Sequence, residues 1–212
     1  MNQFRCFAYQ VSKNHTRTAW VLKCDIRKFF ASIDHQVLFF ILERYIPDQN
    51  ILWLLREVIS SFPRGSTSCN GLPLGNLTSQ LLVNVYMNEF DQFVKHKLKI
   101  KYYIRYADDF VLLSHDKTEL EQTLRYIEVF LRDELKLELH PNKVSIQTFA
   151  SGVDFLGWVH FPDHLILRTS SKRRMLRRIT GLEKDDPVIR SYLGLLSHGN
   201  AEKLARVVLA TN

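Results

Sequence analysis

With 212 residues, 46% of them hydrophobic and 24% charged, the chain can bury the core of one domain, or of one domain with an appendage, and is too apolar to be mainly disordered. A formal net charge of +7 points to a polyanionic partner, the more so because Lys172, Arg173, Arg174, Arg177 and Arg178 put five cations within seven residues. Cys6, Cys24 and Cys69 are too few and too scattered for a disulfide framework or a zinc site, and there is no signal pattern or apolar run of membrane-spanning length; a reducing cytoplasm is expected and a membrane partner is not.

In chain order, Ala19 to Asp25 reads as a short apolar strand ending in an acid. Asp34 then suits the N-cap of a helix from His35 to Tyr45, which Pro47 stops. A second helix is expected from Asn50 to Phe62, with Ile51, Leu54, Leu55 and Val58 at core spacing, before a loop from Pro63 to Asn70. Gly75 allows a tight turn into a long helix from Asn76 to Leu98, with Leu81, Val85 and Phe93 among its buried positions. Lys101 to Tyr106 and Phe110 to Ser114 are aromatic and β-branched runs separated only by Ala107, Asp108 and Asp109, a hairpin with both acids on its tip. An amphipathic helix from Lys117 to Leu135 follows, then short strands from Lys136 to Leu167 broken at Pro141-Asn142, Ser151-Gly152 and Pro162-Asp163. From Ser170 the chain is helical and basic, with Met175, Leu176 and Ile179 facing inward. The order implies an α+β fold, an antiparallel sheet covered by helices on one face.

Asp25 at a strand end and the pair Asp108 and Asp109 at a hairpin tip would converge if those strands are neighbours in one sheet. Three carboxylates so close repel, and hard divalent cations relieve the repulsion while preferring oxygen ligands. Mg²⁺ is the expected occupant, with Mn²⁺ as a substitute. Two such ions clamp the attacking and leaving oxygens of an in-line phosphoryl displacement. An isolated Asp-Asp, by contrast, is usually no more than a polar turn.

The pair is not isolated. Tyr106-Ala107-Asp108-Asp109 resembles the tyrosine, any residue, aspartate, aspartate box of reverse transcriptases. Lys23-Cys24-Asp25-Ile26-Arg27-Lys28-Phe29-Phe30, with Ser32-Ile33-Asp34 behind it, looks like the first metal-binding motif of group II intron, retron and diversity-generating retroelement enzymes. Gly71 to Gln80 resembles the next motif, His140-Pro141-Asn142-Lys143 the lysine motif, and Phe155-Leu156-Gly157-Trp158 the primer grip. The resemblance implies a polymerase palm and a deoxynucleotide-adding enzyme that copies an RNA template from a DNA or RNA primer. It makes Asp25 and Asp108 the principal metal ligands, the Ile26 carbonyl a further one and Asp109 the accompanying acid. Phe30 falls at the steric gate that excludes a 2′-hydroxyl, Leu74 and Gly75 beside the incoming dNTP, and Lys143 where an ammonium would meet departing pyrophosphate. Ser79 and Gln80 would touch the template or primer backbone. Phe155, Leu156, Gly157 and Trp158 would hold the primer, and Arg173, Arg174, Arg177 and Arg178, at the start of a thumb, the phosphates of the duplex. An accessory protein is a further candidate partner for that basic face.

Leu74 stands where many reverse transcriptases carry glutamine and Gln80 where many carry proline, a pattern resembling the error-prone enzymes of diversity-generating retroelements. The expected division is a fingers remnant or linker over 1–18, a palm over 19–165 and a partial, basic helical thumb over 166–212, with fingers largely absent. That shortage raises the alternative of a catalytically incomplete, RNA-binding reverse transcriptase fragment. A palm-fold nucleotide cyclase would have no use for the aromatic gate or the primer-grip string.

Overall fold

A computed structural model describes residues 2–62, 70–183 and 186–210, so the expected loop over 63–69 lies outside the described residues. The chain forms two compact units, one of Val21–Ile146 and one of Met1–Trp20 with Gln147–Asn212.

The Val21–Ile146 unit is built on a sheet of order β2-β3-β1-β4, from β1 (Trp20–Asp25), β2 (Tyr103–Tyr106), β3 (Asp109–Ser114) and the start of β4 (Ser145–Thr148). Strands β2 and β3 pair antiparallel with Tyr106 opposite Asp109. Phe110, Val111, Leu112 and Leu113 are all buried, so β3 is shielded on both faces.

Helix α1 (Asn2–Val11) belongs to the other unit, and α2 (Phe29–Ser32) is a single turn after β1. Helix α3 (His35–Tyr45) starts as expected, because the Asp34 carboxylate accepts from the amides of Gln36 (2.8 Å) and Val37 (3.0 Å). Helix α4 (Gln49–Ser60) starts earlier than expected, capped by Asp48, and turns a different face inward: Leu52 and Ile59 are buried while Ile51 and Leu54 are exposed. Five successive apolar residues, Ile51 to Leu55, define no unique stripe, so packing selected the pair two turns apart. Helix α5 (Leu77–Gln92), capped by Asn76, also differs. Its inner stripe is Ser79, Leu82, Val83, Tyr86, Met87 and Phe90, leaving Leu81 64% exposed and Val85 half-buried. A π-helical turn, Phe93–Lys97, then widens the spiral and lets half-buried Phe93 stack on Phe130 with 4.0 Å between centroids. Helix α6 (Lys117–Asp133), capped by Asp116, buries Leu120, Thr123, Ile127 and Leu131 at helical spacing.

The other unit holds the antiparallel sheet β5-β6-β7, of β5 (Val153–Phe155), β6 (Trp158–His160) and β7 (Leu165–Leu167), and the helices α7 (Thr169–Ile179), α8 (Pro187–Leu196) and α9 (Glu202–Ala210). Trp158 and Leu165 from the strands share one core with Met175, Ile179, Ile189, Leu196, Ala201 and Val208 from the helical segment. Residue 199 is held to glycine here, since a Cβ would lie 2.2 Å from the Trp158 ring. The N-terminal segment is also part of this unit: Phe4 of α1 packs on Phe149, Phe155 and His160 at centroid distances of 5.7, 5.4 and 4.8 Å. Contacts thus join α1 and β5–β7 to the basic helices, a cut different from 18/19 and 165/166. Among the described residues no helix is long and apolar enough to cross a membrane.

Candidate active site

The end of β1 lies between two other segments. On one side the Ile26 amide donates to the Asp108 carbonyl (3.2 Å); on the other the His140 amide donates to the Asp25 carbonyl (2.8 Å) and Ile26 bridges Leu139. Backbone pairing therefore brings together residues more than eighty positions apart in sequence. The hairpin loop is Ala107 and Asp108 alone, with Ala107 at φ +53°. Asp109 is accordingly not on the tip, as expected from sequence, but is the first residue of β3, because the tightest loop closes on Tyr106 and Asp109.

Electrostatics match this proximity. Burial raises the Asp108 carboxyl, and the charge of Asp25 raises it further, against the pull of Lys143. Burial pushes Asp109 up to about 6, opposed by Lys23 and helped by Asp25 and Asp108. One Asp109 oxygen, Oδ1, is buried with no hydrogen-bond partner. Two lysines balance the acids. Lys143 Nζ reaches both oxygens of Asp25 at 3.0 Å, carried there by a turn in which its amide donates to the His140 carbonyl. Lys23 Nζ stands 3.6 Å from Asp109 Oδ2. Among the described residues no three acid, imidazole or thiolate groups are gathered into a ready metal cage. The donor set nevertheless fits a hard divalent cation: carboxylate oxygens, a raised carboxyl that gains from a nearby cation, and one buried oxygen left unpaired.

Sequence reasoning missed the brace behind the hairpin. Arg105 on β2 makes a two-pronged bond to Asp91 of α5 (2.9 and 2.6 Å) and donates to the Ala107 carbonyl at 3.1 Å, holding the residue before Asp108. Tyr103 donates to the same Asp91 at 2.7 Å, and burial keeps its phenol protonated. Lys23 was missed as well; its signal was a cation two residues before Asp25, hence on the same strand face.

Phe29 is buried, while Phe30 is only half-buried and meets it edge-on at 5.5 Å. The Leu72 amide donates to the Phe30 carbonyl (2.7 Å), the Gly71 amide to the Ile33 carbonyl (2.8 Å), and His35 Nε2 lies 2.8 Å from the Gly71 carbonyl. These bonds fix the Leu72 to Gly75 loop beside Phe30. Leu74 is 79% exposed at its crest, and Gly75 takes φ +84°. Gln80 is exposed, but Ser79 is fully buried with its hydroxyl unpaired and offers no contact to a nucleic acid backbone.

In the other unit Phe155 and Trp158 are core residues, each 1% exposed, so only the turn between them is accessible. That turn is Leu156 at φ +53° and Gly157 at φ +84°, half-buried. With Ser171, Arg174, Arg178, Tyr192 and Leu195 it borders a cleft of about 350 Å³. Arg173, Arg174, Arg177 and Arg178 are exposed, and Met175 and Ile179 face the core, as the helical spacing implies.

A family model described as reverse transcriptase (RNA-dependent DNA polymerase) matches residues 2–160. Protein YkfC of Escherichia coli is 26% identical over 206 residues, covering 80% of this chain and 52% of its own. The group II intron-encoded protein LtrA of Lactococcus lactis subsp. cremoris is 22% identical, with 66% of this chain and 34% of its own covered. The chain thus spans about half, or less, of these curated relatives. Telomerase of Candida tropicalis, solved in complex with a fragment of telomeric RNA, superposes with a TM-score of 0.64 at 11% identity over 99% of this chain and 40% of its own, which shows a shared fold, that of a polymerase palm.

Proposed function

The chain belongs to the reverse transcriptase (RNA-dependent DNA polymerase) family, and from that premise we propose that it extends a DNA or RNA primer on an RNA template with deoxynucleotides. The observation that supports this most is the meeting of Asp25 and Asp108 at paired strand ends, with Lys143 on Asp25. Asp25, Asp108 and the Ile26 carbonyl, with Asp109 as the accompanying acid, would hold Mg²⁺, for which Mn²⁺ would substitute. A pair of such ions, when bound, stabilises charge on the attacking and leaving oxygens of phosphoryl transfer.

The protein's own groups do the rest. Lys143 is exposed enough to turn from Asp25 toward a departing pyrophosphate and give it a proton. Phe30 would lie under the sugar, and the Leu72 to Gly75 loop, tied to it by backbone bonds, would position the nucleotide. The exposed arginines of α7 and the Leu156-Gly157 turn would hold the primer and template by their phosphates, without reading sequence. Leu74 and Gln80 favour an error-prone enzyme of the diversity-generating kind. The scattered cysteines fit a reducing cytoplasm.

Replacing Asp25 or Asp108 with Asn is expected to abolish Mg²⁺-dependent primer extension while RNA affinity stays within about twofold, since phosphate contacts come from basic residues elsewhere. Extension by either variant at the parental rate would reject the metal assignment. Parental chain that binds RNA but never extends a primer would favour the RNA-binding fragment.

A further inference from the structure

The N-terminal segment carries a cationic surface of its own. Up to Ala19 the chain has Arg5, Lys13 and Arg17 and no acidic residue. Helix α1 ends in a turn where Lys13, Asn14 and His15 take φ of +47°, +62° and +64°, a left-handed run that residues other than glycine usually enter singly. Local bonds hold it: the Asn14 amide donates to the Tyr9 carbonyl (3.0 Å), the Arg17 amide to the Ser12 carbonyl (2.9 Å) and the Thr16 hydroxyl to the Lys13 carbonyl (2.6 Å). Ser12 Oγ accepts from the His15 amide (3.0 Å) and lies 3.2 Å from His15 Nδ1, which steadies the ring. His15 thereby lies nearly parallel to Phe149, at 13° with 6.1 Å between centroids, and Tyr9, 47% exposed, meets it edge-on at 5.3 Å.

Two hollows adjoin at His15, Phe149 and Pro162, all within one compact unit. One, of about 260 Å³, is aromatic and is completed by Tyr9 with Arg5 at its edge. The other, of about 390 Å³, is bordered by Thr16, Arg17 and Thr18. Among the described residues neither arginine pairs with an acid; Asp154 is bound by Arg168, and Asp163 lies 2.7 Å from His164 Nδ1. A flat aromatic compartment joined to one of hydroxyls and a guanidinium matches a nucleobase joined to its sugar and phosphate. We propose that this double hollow seats one nucleotide of a single-stranded nucleic acid, its base on Tyr9 and His15 and its phosphate on Arg17. The site uses neither the candidate acids nor the arginines of α7. A duplex cannot fill it, because paired bases keep their faces in the stack, whereas an unpaired base of any identity presents one. An acidic peptide would engage the cations and leave both aromatic rings without a role.

Short single strands carrying 5-iodouracil, of ribose and of deoxyribose, are irradiated with the whole chain in the absence of divalent metal, and the attached peptide is located by mass spectrometry. The crosslink is expected on Tyr9 or His15 with either sugar, the stronger yield naming the strand the site takes. Tyr9→Ala and His15→Ala are each expected to weaken single-strand binding about tenfold, the usual contribution of one stacked base. Tyr9→Phe should bind as the parent does, and Arg17→Gln should flatten the salt slope by about 0.7, the share of one phosphate on a single strand. None of these changes should alter affinity for an RNA–DNA hybrid. No metal or polymerisation enters, so the outcome is separate from that of the polymerase reading. Crosslinks confined to α7 or to the acid-bearing unit, with parental single-strand affinity in the alanine variants, overturn the proposal. Arg17 is exposed and outside the core, so an unchanged salt slope in Arg17→Gln overturns it even if the aromatic variants fold poorly. Displacement of the strand by polyglutamate as readily as by unlabelled oligomer of equal charge also overturns it, because charge alone would then suffice.

Discussion

Phe30 and Leu74 are joined through the backbone bond from Leu72 to the Phe30 carbonyl, so the discrimination expected of each is exerted at neighbouring points. Phe30 is half-buried against Phe29, which leaves one side of the ring available to a sugar while the other is held by packing. Phe30→Ala removes that surface and touches no metal ligand, so incorporation of ribonucleotides relative to deoxynucleotides should rise by an order of magnitude or more, about 1–3 kcal/mol of lost exclusion. Single-nucleotide extension with both sugars measures it, and unchanged discrimination in a folded variant would return Phe30 to a packing role. Leu74 offers an apolar crest, 79% exposed, where a glutamine would bring hydrogen-bonding groups. A well-placed hydrogen bond adds about 1 kcal/mol, or several-fold, to the preference for the correct pair. Leu74→Gln is therefore expected to lower misincorporation several-fold on the same RNA template, as read by sequencing the products; equal error spectra at equal activity would remove the basis for an error-prone assignment.

Whole elements were legible where one residue type dictates a local geometry, and not where partners come from afar. Asp34 caps α3 at the position its sequence context implies, and the β2–β3 hairpin follows from its short loop. Helix α4 shows the limit, since with Ile51 to Leu55 all apolar only the tertiary neighbours decide that Leu52 and Ile59 go inside. Ser79 was placed on a nucleic acid by its motif, yet the turn it occupies in α5 points it into the core. The acids and Lys143 could be found because their motif strings are distinctive; Arg105 and Asp91 could not, because their bond joins a strand to a helix and depends on how α5 crosses the sheet. That bond has consequences for the hairpin. Arg105 is 9% exposed at its side chain and bonds both Asp91 and the Ala107 carbonyl. Arg105→Met should destabilise the protein by about 3–5 kcal/mol in denaturant, the usual consequence of leaving a shielded partner alone. Arg105→Lys keeps a charge for Asp91 but lacks the geometry to reach Ala107 as well, so kcat should fall at least tenfold with primer–template affinity unchanged. A variant with parental kcat would show that the hairpin positions Asp108 without this brace.

At the scale of the molecule, the positive charge and the acids divide between the two compact units. The Val21–Ile146 unit carries Asp25, Asp108, Asp109 and both lysines that face them, while the basic helix α7 shares a core with β5–β7 and α1 in the other unit. The candidate acids and the exposed arginines thus stand on separate cores. On α7 the division repeats within two turns: Met175 and Ile179 are fixed in the core, and Arg173, Arg174, Arg177 and Arg178 stand in solvent, Arg174 and Arg178 at the rim of the cleft with Tyr192 and Leu195. Exposed arginines bound to phosphates release counterions, so each contact removed lowers the dependence of log Kobs on log salt by about 0.9 or less. Replacing Arg174 and Arg178 together with Gln should weaken binding to RNA–DNA hybrids of unrelated sequence by the same factor and flatten the salt slope by between about 1 and 2. Because neither residue contributes to the buried core, the melting temperature should not move. Filter binding of two hybrids across a salt series separates the possibilities. A slope equal to that of the parent would mean that α7 does not face phosphates, and a loss confined to one sequence would mean that the cleft reads bases instead.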